Sequence, residues 1–75
     1  MNNGFTQTEA QALVGELFET HAPFYGVPRR TRGSVIEAYD AGDHWNVMIE
    51  WHLPGKPVQG WFTKFELQNY MQRVQ

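Results

Sequence analysis

Trp45, Val47, Ile49 and Trp51 fall on every second residue of the chain, with Asn46, Met48, Glu50 and His52 between them. A two-residue rhythm sends alternate side chains to opposite faces of a strand, so this stretch describes a β-strand with one face in a core. A helix, with its period of about 3.6 residues, cannot collect those four large side chains on one stripe. The neighbouring segments extend the same logic. Ser34 to Tyr39 is rich in β-branched and aromatic residues, and Asp40-Ala41-Gly42-Asp43 supplies a turn before the alternating strand. After it, Leu53-Pro54-Gly55-Lys56-Pro57 is a second turn that leads into Val58 to Phe62. Residues 33–62 therefore read as an antiparallel meander of successive strands. Pro57 has no N–H for a ladder, which places the start of the last strand at an edge or just beyond it.

Either side of the meander the period becomes helical. Thr6 and Glu9 have capping-box spacing, in which hydroxyl and carboxylate each satisfy a free amide of the first turn, and Phe5 stands where a hydrophobic staple would. Ala10, Leu13, Val14, Leu17 and Phe18 then form one apolar stripe, and the Ala22-Pro23 step disfavours further helix, so a helix is predicted over residues 6–20. Thr63 and Glu66 repeat the capping box, with Phe62 and Leu67 in staple positions. Leu67, Tyr70, Met71 and Val74 give the stripe of a second predicted helix over residues 63–74. The expected architecture is α+β: one domain over residues 1–75, with a small, strongly bent antiparallel sheet flanked by an N-terminal and a C-terminal helix.

Size makes demands on that sheet. A chain of 75 residues buries only about 60% of the surface its unfolded form exposes. Without cysteine there is neither a disulfide nor a thiolate metal site, so apolar packing must hold the fold. Three Trp, three Tyr and five Phe suit that need. Six Lys plus Arg against eight Asp plus Glu leave a net charge of −2, which argues against a general nucleic-acid binder. The start Met1-Asn2-Asn3-Gly4-Phe5 lacks the basic-then-apolar order of a signal peptide. No apolar run approaches the roughly 18 residues of a membrane span. A soluble, cytoplasmic protein without membrane association is the expectation.

The run Thr31-Arg32-Gly33-Ser34-Val35-Ile36, the strand Trp45 to Trp51, the Pro54-Gly55 turn and the closing Trp61-Phe62-Thr63-Lys64-Phe65-Glu66-Leu67 together resemble the SH3-like small barrels of bacteria. That resemblance spans about half the chain. It implies a partly open barrel, a bacterial and mobile-element origin, and a role as a binding module for peptides, methylated lysine, RNA or other subunits. A helix before the barrel and one after it depart from the common form, and either could cover the usual binding face. Val58-Gln59-Gly60-Trp61 is also similar to the Val-Gln-Ile-Tyr segment of type II plasmid-encoded dihydrofolate reductases, short barrels that build one active pore from four subunits. Gly60 and Trp61 depart from that pattern and weigh against a small oligomeric reductase.

Candidate sites follow from the residues left over. Arg29, Arg30 and Arg32 are the one concentration of positive charge, and beside exposed rings such groups can hold phosphates and stack bases. The plainer alternative is a solvated strand entry pairing with Glu37 or Glu50. Trp45 and Trp51 share the inner strand face and belong to the core, whereas Trp61, with Tyr25 or Tyr39, is the ring expected at the surface. His21, His44 and His52, even with Asp40 or Asp43, match no metal-ligand spacing, so no metal is expected. Ser34 is the sole serine and has no nucleophile motif around it. The sequence thus points to a non-enzymatic interaction module without cofactor, binding a protein partner or a second copy of itself, as a homodimer, through apolar and aromatic surface. Weak nucleic-acid binding through the arginines is the alternative.

Overall fold

The computed structural model describes residues 4–24, 26–55 and 58–74. Thr6 starts the first helix, α1 (Gln7–Leu13), with both halves of the capping box in place: the Glu9 amide donates to Thr6 Oγ1 at 3.1 Å and the Thr6 amide to Glu9 Oε1 at 2.9 Å. Glu9 also meets Lys64 Nζ at 3.3 Å. The amide of Thr6 first, and Lys64 next, hold the Glu9 carboxyl below its ordinary 4.5. Ahead of the helix Phe5 is buried, and its carbonyl accepts from the Trp45 amide at 2.8 Å.

The helix ends sooner than the predicted 6–20 span. Gly15 turns the chain at φ +94°, its amide donates to the Val35 carbonyl at 2.7 Å, and Leu17–Thr20 continues as strand β1. In β1 Phe18 and Thr20 are buried while Leu17 and Glu19 are half-exposed. The apolar Leu17 and Phe18 that complete a helical stripe therefore face opposite ways. Beyond Leu13, the ladders that β1 forms with its two neighbouring strands supply the hydrogen bonds a longer helix would have made.

Beyond β1 come β2 (Arg32–Asp40), β3 (Trp45–Trp51) and β4 (Val58–Phe62), the three strands expected of the meander, all antiparallel. Thr63 then caps α2 (Lys64–Tyr70), again with a complete capping box. The predicted 63–74 span is corrected in the same way, because Met71–Arg73 leaves the helix as strand β5 and pairs antiparallel with β1, Phe18 opposite Arg73 and Thr20 opposite Met71. Five strands thus form one antiparallel sheet in the order β4-β3-β2-β1-β5. Among the described residues β4 and β5 remain its two open edges.

Register slips between Val35 and Glu37 on β2, a bulge that puts Ile36 out of the ladder and bends the strand. The inner face gathers Val35, Val47, Ile49 and Trp51, all but completely buried, with Phe18, Phe62, Leu67 and Met71 around them. Trp51 meets Phe62 edge-on at 5.8 Å, and Phe24 stacks on Tyr70 at 4.6 Å. Gly33 is required by this packing, since a Cβ there would lie 2.5 Å from Trp51 Cε3 and 2.7 Å from Ile49 Cγ2. Pro57, the expected edge marker, lies outside the described residues.

Candidate functional site

Side chains on the outer face of β2, β3 and β4 line up in rows across the ladder. Ser34, Glu50 and Gln59 form one row, and Glu37, Met48 and Trp61 the next, while Tyr39 stands opposite Asn46. Tyr39 is 46% and Trp61 41% exposed, yet their rings touch, with centroids 4.6 Å apart at 40°. Their strands lie on either side of β3, so the pair roofs the outer face of β3, and Asn46 and Met48 are half-buried there. Asn46 Oδ1 is buried with no hydrogen-bond partner. Glu50 accepts from Gln59 Nε2 at 2.8 Å, and neither Glu50 nor the exposed Glu37 has an ion-pair partner among the described residues. The aromatic pair thus sits in an acidic surround, with Trp61 on the open edge strand β4.

The arginines occupy a different part of the sheet. Arg32 binds Glu19, Nε to Oε2 at 3.2 Å, and not the Glu37 or Glu50 that sequence suggested, because the β1–β2 register sets Glu19 directly opposite Arg32. Arg29 and Arg30 lie on the turn before β2 and border a cleft of about 210 Å³ with Glu19, Thr20, His21 and Gln72. Fully buried Thr20 organises that turn. Its hydroxyl donates to the Pro28 carbonyl at 2.7 Å and accepts from the Thr31 amide at 3.0 Å, while the Thr31 hydroxyl also donates to the Pro28 carbonyl at 2.8 Å. Arg30 takes a left-handed φ of +66°, its amide donating to the Thr20 carbonyl at 2.7 Å. Sequence reading missed Thr20 as the organiser, because a threonine there looks like a helix end; only its pairing with Thr31 and Pro28 reveals the role.

Two side-chain pairs involve the histidines. His52 Nε2 lies 3.2 Å from Ser34 Oγ. This contact is exposed, and among the described residues nothing bonds the other ring nitrogen to orient it as a base. His44 Nδ1 meets Asp43 Oδ1 at 2.5 Å, and this hydrogen bond holds the Asp43 carboxyl below its ordinary 3.8. No group of three or more His, Cys, Asp or Glu among the described residues is placed to hold a metal ion, and none of their helices is long and apolar enough to cross a membrane. Tyr25, the other ring expected at the surface, lies outside the described residues.

Comparison with protein families, curated proteins and solved structures finds no match to this chain.

Proposed function

We propose that the protein is a non-enzymatic interaction module, and that it receives an extended, basic segment of a protein partner on the outer face of β2–β4. The observation that carries this reading is the exposed Tyr39–Trp61 ring pair beside the open strand β4. An edge strand offers unpaired N–H and C=O groups to an added strand, which supplies affinity without sequence demands. Specificity then comes from side chains laid across the neighbouring face. There the rings can take the stem and charge of an Arg or Lys, and Glu37 and Glu50 complement it. The framework is read as an SH3-like small barrel left partly open. Supporting this are the consecutive antiparallel strands, the return of β5 beside β1, and the bend at Ile36. The two helices leave the outer face free: α1 packs on β2 and β3, and Ala10 and Leu67 lie in the same core as Val35 and Ile49.

Synthetic extended peptides, lysine- and arginine-rich against glutamate-rich with the same apolar residues, test the reading by tryptophan fluorescence and calorimetry. Basic peptides bind, and Trp61→Ala weakens them about tenfold or more while the chain stays folded, as for a central interface aromatic. Equal affinity of the Trp61→Ala variant for the same peptides overturns the reading. Light scattering separates the homodimer alternative, in which a second copy occupies β4 and Trp61→Ala yields a monomer.

A further inference from the structure

The Arg29–Arg30 cleft lies outside the proposed peptide face and has its own construction. Three elements wall it: the end of β1, the turn from Pro28 to Thr31, and β5. They are pinned together by main-chain bonds, Thr20 amide to Thr31 carbonyl and His21 amide to Tyr70 carbonyl, each 3.0 Å. The Thr20 hydroxyl adds its bonds to Pro28 and Thr31 from a fully buried position. A non-glycine residue in the left-handed region costs of the order of 1–3 kcal/mol and persists only where its surroundings over-determine it. At Arg30 that conformation fixes the backbone from which a guanidinium projects at the border of the cleft.

Electrostatics at this place are one-sided. Glu19 is the one carboxylate lining the cleft, and Arg32 already neutralises it. Among the described arginines and lysines, only Arg29 and Arg30 make no ion pair. Two uncompensated guanidinium groups on a rigid turn, with the ring of His21 and the amide of Gln72 as further donors, form a receptor for a compact oxyanion. A volume of about 210 Å³ falls below the roughly 300–1,000 Å³ of sites that engulf whole drug-sized ligands. It suits a charged head group whose remainder stays in solvent. Two positive charges match a dianion better than a carboxylate. A net charge of −2 repels a long polyanion that would need many such contacts.

We infer that this cleft binds the terminal phosphate of a small phosphomonoester, gripped by Arg29 and Arg30 and further contacted by His21 and Gln72. The probe is phenyl phosphate, titrated into the ¹⁵N-labelled full chain at constant ionic strength, with sodium chloride, acetate and a single-stranded oligonucleotide as parallel arms. Saturable amide shifts are expected at Thr20, His21, Arg30, Thr31 and Gln72. Arg30→Gly separates binding from folding, because glycine tolerates the left-handed φ: melting should hold or rise while phosphate affinity falls about tenfold or more, the loss of one charge-assisted contact. Arg29→Ala with Arg30→Gly should abolish the shifts. The inference is overturned if chloride or acetate reproduces the shifts, if the oligonucleotide binds more tightly per phosphate than phenyl phosphate, or if Arg30→Gly binds phenyl phosphate unchanged. Peptide binding at Trp61 is read independently, so either site can fail alone.

Discussion

Trp51 and Trp61 stand on adjacent strands of one sheet and do opposite things. Trp51 is 0% exposed, with Phe62 at its edge and Gly33 beneath it, whereas Trp61 is 41% exposed and touches Tyr39. Residue type is the same, so the difference comes from parity along the strand and from what lies opposite. On the inner face Trp51 is enclosed on all sides, by Phe62 at its edge and by the backbone of Gly33, with its Nε1 buried without a hydrogen-bond partner among the described residues. On the outer face, two rings meet each other and leave half of each to water. A domain this small gains most of its stability from burying rings, and leaving two outside forgoes some of it. That contrast motivates assigning binding to the outer face and stability to the inner one.

The contrast breaks most visibly at Trp51. Truncation of a buried Trp to Ala costs about 3–5 kcal/mol, against a total of roughly 4–11 kcal/mol for a domain of this length. Trp51→Ala is therefore expected to be largely unfolded or to melt well below the parent in circular dichroism. A melting temperature near that of the parent would mean that Trp51 is not the centre of the core. Gly33→Ala probes the same contact from the other side. The new Cβ meets Trp51 and Ile49 side chains and the Glu50 carbonyl at 3.0 Å or less, so both the ring and the β3 backbone must shift. Overpacking of this kind costs about 1–3 kcal/mol, read as a lower denaturation midpoint with little change in slope.

Trp61→Ala should cost less than about 1 kcal/mol of stability, within the range of an exposed aromatic pair, while weakening peptide binding about tenfold or more. Acrylamide quenching sharpens the same point, since the parent retains a quenchable component that Trp61→Ala loses. Should Trp61→Ala unfold the chain as readily as Trp51→Ala, the division of labour between the two faces fails.

The legible part of the fold is the part written in local chemistry. The alternation from Trp45 to Trp51 gave both the strand and its buried face, and the two Thr-x-x-Glu boxes gave both helix starts, at Thr6 and Thr63. Helix ends were not legible in the same way. Leu17 and Phe18 continue a helical stripe and also fit a strand, as do Met71 and Val74. What decides between these is the mutual pairing of β1 and β5, residues more than fifty positions apart, which no local pattern contains. Gly15 was the available signal at the first end, and nothing equivalent marks Met71. The surface was legible in outline: parity along the last strand placed Trp61 outside, whereas Tyr39 reaches the outer face only because the bulge at Ile36 reverses the parity of β2 after Val35, and the contact of the two rings depends on the β2–β3–β4 register. The arginine cleft depends on Thr20, a residue whose importance exists only once β1 is a strand.

Acid provides the smallest test and the most selective. Among the described residues no ionisable side chain is buried, the buried polar groups being Thr20 and Thr31, so protonation acts only on the solvent side of the molecule. The groups held below their ordinary values are Glu9, through the Thr6 amide and Lys64, and Asp43, through His44. A carboxyl whose folded pKa is depressed stabilises the fold above its unfolded pKa, and that contribution disappears as pH falls through the folded one. Stability is therefore expected to decline only as pH drops below about 4.5 for Glu9 and about 3.8 for Asp43. Glu9→Gln keeps an acceptor for the Thr6 amide but removes the titration, so the difference in melting temperature between pH 7 and pH 3 should narrow relative to the parent. The inner face around Trp51 should remain intact through this range, with fluorescence in a Trp45→Phe, Trp61→Ala background, where Trp51 is the sole tryptophan, unchanged until global melting. Early exposure of Trp51 on acidification would mean that the two faces of the sheet are coupled through α1, and the separation of stability from binding would no longer hold.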